Sequence, residues 1–196
     1  MDEFKLYEVG GCVRDEILGL VSKDIDYVAV PNDKLLKNVR DVKTMFEILK
    51  SCLKKEGFEI FIEHPSCFTI RARFPKDHIN HKLVADFVMA RKEIGYIEGT
   101  RTPIIVPGTL FDDLQRRDFT INALAKDENG DIIDLFEGRK HIEEKVLVTP
   151  LDVNITFNDD PLRLLRAIRF SITKGFKLRQ DIHSIIHCFD YSNKMK

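Results

Sequence analysis

Short segments in which apolar and polar residues alternate run through the first half of the chain, separated by two segments with helical spacing. The alternation predicts five strands, at residues 7–9, 24–30, 59–63, 68–73 and 82–89. Apolar positions three to four apart predict helices at residues 12–18, ending before Gly19, and at residues 42–54. Pro31 ends the second strand, and the turn at residues 64–66 joins the next two strands into a hairpin. A mixed α/β unit is therefore predicted.

The second half of the chain changes from strands to helices. Residues 94–108 are punctuated by Gly and Pro and predict a loop or an irregular excursion. Two strands, at residues 121–125 and 132–135, flank a strong turn signal at residues 127–130. Helices are predicted at residues 160–171, opened by Asp160-Pro161, and at residues 181–189, whose apolar stripe fits packing, dimerisation or docking on a partner. We expect one domain at residues 1–140 and the beginning of a helical domain at residues 141–196.

Composition excludes several classes of protein. The 196 residues, 43% of them hydrophobic, suffice for one good core and the beginning of another. With 31 basic and 32 acidic residues, the net charge is close to zero and gives no indication of a nucleic-acid partner. Any contact with RNA must come from local clusters of basic residues. The four cysteines lack metal-ligand spacing, and neither a signal peptide nor a membrane-spanning run is evident. We therefore expect a reduced, soluble, cytoplasmic protein without membrane contact.

Two carboxylates near the N-terminus carry the strongest chemical signal. Asp24 and Asp26 are two apart on a predicted strand, so both side chains point to one side and can converge on metal ions while Ile25 faces the core. Upstream, Gly10 and Gly11 allow backbone N–H groups to approach a triphosphate where the next helix begins. This combination outlines a metal-dependent nucleotidyl transfer site. The alternative is a solvated strand end with two exposed acids.

Arg14 follows the glycine pair by a few residues. Its planar guanidinium group suits phosphate oxygens, which predicts binding of the triphosphate. The alternative is a surface ion pair with Asp15 or Glu16, and the glycine pair has a similar alternative as an ordinary turn.

Five motifs occur in a fixed order along the chain. They are Gly-Gly-Cys-Val-Arg-Asp at 10–15, Asp-Ile-Asp at 24–26, Asp-Leu-Gln-Arg-Arg-Asp-Phe-Thr-Ile-Asn-Ala-Leu-Ala at 113–125, Asp-Ile-Ile-Asp at 131–134 and Asp-Asp-Pro-Leu-Arg-Leu-Leu-Arg-Ala-Ile-Arg-Phe at 159–170. The set closely resembles the class II tRNA nucleotidyltransferases (CCA-adding enzymes) and the bacterial poly(A) polymerases. The resemblance implies an α/β (α+β) fold, namely a polymerase-β-like head with a small mixed sheet backed by helices, followed by the start of a helical neck. Position 159 is Asp where the family usually has Glu, and the family's later neck motif and its body and tail domains are missing from the sequence.

The resemblance also implies roles for several residues. Two Mg²⁺ ions on Asp24 and Asp26 would bridge the attacking 3′-hydroxyl group and the nucleotide phosphates. Asp86, an acid inside an apolar run, is a candidate third catalytic carboxylate, or else a strand residue that faces solvent. Arg117 is implied to contact the nucleotide and Asp118 the ribose hydroxyl groups, although Asp112 and Asp113 could make this segment only a salt-bridged helix end.

The helix predicted at residues 160–171 carries the base-reading candidates. Asp160 and Arg163 are three apart, which places both side chains on one face of a helix. A carboxylate accepts from the exocyclic amino group of C or A and a guanidinium donates to the adjacent ring nitrogen, whereas U and G present the opposite pattern. Such a pair is worth roughly 1–3 kcal/mol of discrimination. The resemblance places Arg166 and Arg169 near the nucleotide; the alternative is a basic stripe on a solvated helix.

The activity implied by the resemblance is transfer of CMP or AMP from CTP or ATP to an RNA 3′ end, with release of pyrophosphate. The expected RNA is tRNA at its CCA terminus. Three alternatives stay open at this point: a poly(A) polymerase, one half of a split enzyme, and a non-catalytic nucleotide- or RNA-binding module. Self-association or a partner chain could supply the RNA-binding domains.

Overall fold

A seven-stranded mixed sheet organises the molecule. The computed structural model describes residues 1–39, 41–97 and 103–188. In these residues the strands of the sheet are β1 (Phe4–Val9), β2 (Asp24–Pro31), β3 (Glu59–His64), β4 (Thr69–Arg73), β5 (Val84–Met89), β8 (Leu124–Lys126) and β9 (Ile132–Asp134), in the spatial order β3-β4-β5-β2-β1-β8-β9. β2 and β5 run parallel, and the other neighbouring pairs run antiparallel. The predicted mixed sheet backed by helices is confirmed.

The remaining elements are shorter strands and the helices. Two further strand pairs are β6 (Arg91–Tyr96) with β7 (Pro103–Pro107), and β10 (Val146–Leu147) with β11 (Lys177–Leu178). The helices are α1 (Gly11–Ile17), α2 (Asp33–Asn38), α3 (Val42–Lys55), α4 (Leu110–Gln115), α5 (Gly138–Glu143), α6 (Val153–Asp159), α7 (Leu162–Lys174) and α8 (Gln180–Cys188). Among the helices described here, none is long and apolar enough to cross a membrane.

One face of the sheet is covered by α1 and α3. The α3 helix begins after Asp41, whose carboxylate accepts a hydrogen bond from the Thr44 backbone N–H at 2.9 Å. The apolar positions of α3 recur every three to four residues and bury Phe46 and Leu49 against the sheet. Ile25 on β2 lies in the same core, as the alternation along that strand predicted.

The other face of β2 carries the acids. Val28 belongs to a second, smaller core together with Leu114 of α4. Because side chains alternate along a strand, Asp24 and Asp26 point to the same side as Val28. The docking of α4 through Leu114 therefore brings the residues that follow this helix next to the two carboxylates.

The prediction of an irregular segment at residues 94–108 is wrong for its described part. β6 and β7 pair antiparallel from Arg91 opposite Pro107 to Tyr96 opposite Pro103. A two-stranded ribbon tolerates proline because each strand has an open edge, so the proline signal does not exclude strands here. Residues 98–102 of the predicted segment lie outside the described residues.

Other differences concern short elements. The strand predicted at residues 121–125 begins only at Leu124, since Thr120–Asn122 form a 3₁₀ turn. The α2 helix was not predicted, although Asn32 caps it by accepting a hydrogen bond from Leu35 N–H at 2.7 Å. The strand predicted from residue 68 begins at Thr69, because Phe68 adopts a left-handed conformation with φ 54°.

The C-terminal part is helical as predicted, with one short parallel strand pair, β10 and β11, in addition. The predicted helix at 181–189 corresponds to α8, and Phe189 lies outside the described residues. Phe157, Phe170 and Phe176 of this part belong to the same main core as the strands of the sheet. The division at residue 140 stays a prediction.

A tight approach at Gly138 generates a stability prediction. A Cβ atom at this buried position would collide with the Thr120 carbonyl oxygen and lie 3.0 Å from Leu124 Cδ2. Gly138→Ala is expected to lower the free energy of unfolding by about 1–3 kcal/mol, because overpacking a filled site forces neighbours to shift. Thermal unfolding followed by circular dichroism measures this change.

Gly95→Ala is the matched control, since its Cβ atom would meet only Ile104 Cδ1 at 4.0 Å. Equal unfolding temperatures for the two variants would contradict the prediction.

Candidate active site

A cleft of about 940 Å³ opens beside the two carboxylates of β2, between the turn that follows β1, the end of α4 and one side of α7. Its lining contains most of the predicted site residues, namely Gly10, Gly11, Arg14, Asp24, Asp26, Arg117, Asp118, Asp160, Arg163, Arg166 and Arg169. Residues separated by up to 159 positions in the sequence thus share one cavity. Asp86 is the predicted site residue that does not line this cleft.

Asp24 and Asp26 lie on one face of β2, and Asp86 lies beside them. Asp26 is in register with Asp86 of the parallel neighbour β5, so their side chains point to the same face. Arg71 on β4 donates two hydrogen bonds of 2.8 Å to Asp86, and its Nη2 atom lies 3.8 Å from Asp24 Oδ2. Asp86 is therefore a partly buried acid paired with Arg71, and its catalytic role stays a prediction.

Asp26 stands in an unfavourable position for a negative charge. Burial raises the pKa of its carboxyl group above the ordinary value, and the neighbouring carboxylates of Asp86 and Asp24 raise it further. Arg117 and Arg71 oppose these effects without cancelling them. A cation that enters the cleft would therefore stabilise the ionised form of Asp26.

Gly10 allows this crowding. It adopts φ 76°, and a Cβ atom there would lie 2.8 Å from Arg117 Nη1 and 3.8 Å from Asp26 Oδ2. A side chain at this position would push the guanidinium group away from the carboxylate, and an L-residue would also be strained. The glycine is thus required by the close approach of Arg117 and not only by the turn.

A fully buried carboxylate positions two of the arginines. Asp113 Oδ1 accepts hydrogen bonds from Arg116, at 2.5 Å and 3.1 Å, and its Oδ2 accepts one from Arg117 Nη2 at 3.0 Å. Burial by itself would raise the pKa of Asp113, but the two guanidinium groups bring it below the ordinary value. The end of α4 is therefore salt-bridged, as the alternative interpretation expected, through Asp113 and the two arginines. Arg117 nevertheless also lines the cleft.

Asp118 and Asn122 form a second chain of polar contacts. Asp118, which is 7% exposed, accepts a hydrogen bond from Arg166 Nε at 2.7 Å and one from Asn122 Nδ2 at 2.9 Å. The other end of the Asn122 amide accepts a hydrogen bond from Arg14 Nη1. Four side chains, from three distant parts of the sequence, are in this way fixed along one wall of the cleft.

Arg14 forms the ion pair that its sequence context allowed, but the pair is partly buried beside the cleft; the role of Arg14 in binding a triphosphate stays a prediction. The ion pair joins Arg14 to Asp15 at 2.8 Å, yet the arginine side chain is 8% exposed and lines the cleft. Its guanidinium group lies 5.1 Å from the centre of the Phe170 ring. Arg14 is therefore held in the cavity wall and is not a surface residue.

The base-reading candidates lie at the beginning of α7. Both line the cleft, but Asp160 precedes the helix, because Pro161 caps it and the helix starts at Leu162. Arg163 donates to the backbone carbonyl oxygen of Arg116 at 2.7 Å and to that of Thr156 at 3.3 Å. The arrangement differs from the predicted shared helix face: Arg163 lies in the first turn of α7, whereas Asp160 lies outside the helix, and its carboxylate accepts a hydrogen bond from Leu162 N–H at 3.1 Å.

Several lining residues were not predicted to belong to the site. They are Val9, Tyr27, Val88, Arg116, Asn122, Phe170, Thr173 and Lys174. Arg116 and Asn122 lie within the motif at 113–125, and Phe170 ends the motif at 159–170. Other residues of these two motifs were predicted to belong to the site, so the motifs could have indicated these three as well. Thr173 and Lys174 continue the α7 face of Arg166 and Arg169 by one turn, which a helical projection of that segment would have suggested.

Metal-binding potential at this site rests on few groups. Within residues 1–39, 41–97 and 103–188, no three His, Cys, Asp or Glu side chains are close enough to hold an ion by themselves. Asp24 and Asp26 supply two hard oxygen ligands on one face, and the raised pKa of Asp26 indicates a place where positive charge is favourable. These residues fit an ion that takes its other ligands from water or substrate.

Comparison with known proteins identifies the family. Residues 6–148 match the family model described as the poly(A) polymerase head domain. The chain belongs to this family, and the resemblance inferred from the motifs is confirmed. The chain is 34% identical over 186 residues to the CCA-adding enzyme of Lactiplantibacillus plantarum, which covers 93% of this chain and 40% of that protein.

Solved structures agree with this assignment. The Bacillus stearothermophilus CCA-adding enzyme in complex with CTP has a TM-score of 0.70 and 26% identity, covering 94% of this chain and 39% of that one. A tRNA nucleotidyltransferase complexed with a primer tRNA and an incoming ATP analogue has a TM-score of 0.67 and 30% identity, covering 93% and 46%. The chain spans between 34% and 40% of the length of the curated relatives it matches.

The crowding of Asp26 predicts a gain in stability on its neutralisation. Asp26→Asn is expected to raise the unfolding midpoint at pH 7–8 by about 2–4 °C, the shift that about 1 kcal/mol gives in a chain of this size. A raised pKa in the folded state means that the folded protein binds protons more readily. The stability of the unsubstituted chain therefore falls as the pH rises through that pKa, and the advantage of the variant shrinks towards pH 4.

Calorimetry between pH 4 and pH 8 in a chelating buffer measures this effect. Asp24→Asn is the control, because the Asp24 side chain is 53% exposed and should change the midpoint less. A midpoint for Asp26→Asn that falls at pH 8 would contradict the electrostatic account.

Proposed function

We propose that this chain is the catalytic part of a tRNA nucleotidyltransferase that adds CMP and AMP from CTP and ATP to the tRNA 3′ end and releases pyrophosphate. One observation carries the proposal. The paired carboxylates Asp24 and Asp26 line the same cleft as the base-edge candidates Asp160 and Arg163. Chemistry and nucleotide choice thus have residues in one cavity, and relatives named CCA-adding enzymes support the same activity.

The metal-binding residues of the proposal are Asp24 and Asp26, which would hold Mg²⁺. When bound, the ions lower the pKa of the attacking hydroxyl group and neutralise charge on the departing pyrophosphate. Asp86 is the third catalytic carboxylate of the proposal, and Arg71 keeps it oriented on the face that it shares with Asp26. These acids repel one another without a cation, which supports a functional reason for keeping them together.

The phosphate and ribose contacts are assigned to the wall formed by the first turn and by the segment after α4. Gly10 and Gly11 leave room for the triphosphate, and Arg14 and Arg117 would bind its oxygens through forked donors. Asp118 would accept from the ribose hydroxyl groups. Arg166 and Arg169 complete this wall from α7.

Base choice is assigned to Asp160 and Arg163. The carboxylate would accept from the amino group of C or A, and the guanidinium group would donate to the neighbouring ring nitrogen. The backbone contacts of Arg163 fix its direction, so that binding a base would need little reorganisation of this side chain. This pair selects C and A over U and G and does not by itself decide between C and A.

The division of labour along the chain is also part of the proposal. Residues 1–140 act as the catalytic head and residues 141–196 as the beginning of a helical neck that supplies the base-reading pair. A firm grip on tRNA would come from regions that the longer relatives have beyond the matched part, from self-association or from a partner chain. A poly(A) polymerase is the second candidate, favoured by the description of the matching family model.

A transfer assay tests the activity. The purified chain is incubated with Mg²⁺, each labelled nucleoside triphosphate in turn, and tRNA that ends before, within or after CCA, beside a generic RNA primer. Addition of C and then A only to incomplete tRNA is expected, and Asp24→Ala should abolish it because a carboxylate for the metal is lost. Asp24 is half exposed and has only a 3.8 Å ion pair, so the variant should keep its fold.

Each other outcome is informative. Addition of A to any primer would indicate a poly(A) polymerase, and CTP or ATP binding without transfer would mean that the further regions of the longer relatives or a partner chain are required. Unchanged activity in Asp24→Ala would refute the metal-dependent mechanism.

The base-reading assignment gives a separate prediction. Arg163→Ala should reduce discrimination against UTP and GTP by about tenfold, because the loss of one donor pair costs roughly 1–3 kcal/mol. Affinity for the triphosphate group should change less. Competition between the four labelled nucleotides measures the ratio of their kcat/KM values.

Arg139→Ala removes an exposed arginine on α5 outside the cleft and serves as the control. An unaltered preference among C, A, U and G in Arg163→Ala would show that other residues read the base.

A further inference from the structure

The far end of the cleft, at the last turn of α7, carries an excess of positive charge. Arg14, Arg169 and Lys174 line it, together with Thr173, whose hydroxyl group donates a hydrogen bond to the Arg169 carbonyl oxygen at 2.7 Å. Asp15 pairs with two of these cations, since one of its oxygens lies 2.8 Å from Arg14 Nη2 and 3.2 Å from Lys174 Nζ. In the part of the chain that the structure describes, no carboxylate forms an ion pair with Arg169, which instead lies against the Phe170 ring at 5.6 Å.

The order of groups along α7 matches the order of groups in a nucleoside triphosphate. Arg163, in the first turn, belongs to the base-reading pair, and Arg166 is bonded to Asp118, the ribose candidate. Lys174 follows Arg163 by eleven residues, which corresponds to about 16 Å along the helix axis. The end of α7 is therefore where the terminal phosphates of a bound nucleotide would lie.

Contacts across the cleft agree with this order. Gly10 lies close to Asp26 and Arg117, and Gly11 lies close to Arg14, whose Nη2 atom would be 3.6 Å from a Cβ atom there. A triphosphate that starts at the carboxylates and follows the glycine turn thus reaches Arg14. Lys174 is the next cation, because it shares Asp15 with Arg14.

We propose that Lys174, with Thr173 and Arg169, forms a subsite for the two terminal phosphates of the incoming nucleotide and for the pyrophosphate product. The inference rests on the proposed function and extends it to Lys174 and Thr173, which lie outside the sequence motifs. In the transfer, the primer 3′-hydroxyl group gives its proton to solvent and its oxygen bonds to the α-phosphorus, while the bond from that phosphorus to the bridging oxygen breaks. The electron pair leaves with pyrophosphate, whose growing negative charge Lys174 and Arg169 would neutralise.

Lys174 can change partner without rebuilding the helix. Its side chain is 30% exposed, and a lysine ammonium group on a flexible stem can move from the Asp15 carboxylate to a phosphate oxygen. Asp15 then keeps Arg14 oriented through their own ion pair. A purely structural role is the competing account, in which Lys174 only fastens the end of α7 to α1.

The test compares Lys174→Met with Lys177→Met. Both substitutions remove one positive charge, but Lys177 is exposed on β11 and does not line the cleft. Calorimetric titration with CTP, CMP and inorganic pyrophosphate measures binding directly, and inhibition of the transfer by pyrophosphate gives a second readout. In Lys174→Met we expect about tenfold weaker binding of CTP and pyrophosphate, the size of one lost charge-assisted contact, with CMP binding unchanged.

Lys174→Arg keeps the charge and should restore most of the pyrophosphate affinity. Equal weakening of CMP and CTP together with a lower unfolding midpoint would overturn the proposal in favour of the structural role, and so would unchanged affinity for all three ligands. Because binding is measured without transfer, the two proposals fail separately. A chain that binds pyrophosphate through Lys174 but transfers nothing would refute the proposed activity alone.

Discussion

The pairing of the buried Asp113 carboxylate with Arg116 and Arg117 is the interaction on which the cleft depends. Removing a carboxylate from water costs several kcal/mol unless opposite charges and hydrogen bonds replace the solvent. Both guanidinium groups do so here. Asp113 in return fixes the turn after α4. Arg117 is thereby held close enough to Asp26 to lower the pKa of its carboxyl group, and the Arg116 carbonyl oxygen accepts a hydrogen bond from Arg163. One buried acid therefore sets the position of Arg117, beside the carboxylates, and of Arg163, at the beginning of α7.

Charges in the cleft form two groups of opposite sign. The carboxylates of Asp24, Asp26 and Asp86 gather on one face of the interior strands β2 and β5, where burial and mutual repulsion raise the pKa of Asp26. Cations gather on the facing side of α7. The separation of acids from bases is unfavourable for the folded chain, as the raised pKa of Asp26 indicates. It also leaves two complementary surfaces, one suited to a cation and the other to a polyanion.

The sheet and α7 contribute different kinds of order to this arrangement. The parallel register of β2 and β5 places Asp26 beside Asp86 through backbone hydrogen bonds, which are insensitive to side-chain changes. The helix presents Arg163, Arg166 and Arg169 at intervals of three residues, with Lys174 five residues further on. The buried Phe170 lies under Arg14, Arg166 and Arg169 and joins this basic face to the core.

The sequence by itself determined the local features whose cause is local. The alternation in residues 24–30 predicted that Asp24 and Asp26 share a face, and the helical spacing after Pro161 predicted the face of Arg163 and Arg166. The order of motifs predicted the family. Only the tertiary structure decided what depends on distant partners: Arg71 beside Asp86, Asn122 between Arg14 and Asp118, and Lys174 beside Asp15. Residue spacing determines which way side chains point within one strand or helix. These contacts depend instead on how separate elements pack against each other, which local sequence patterns do not determine.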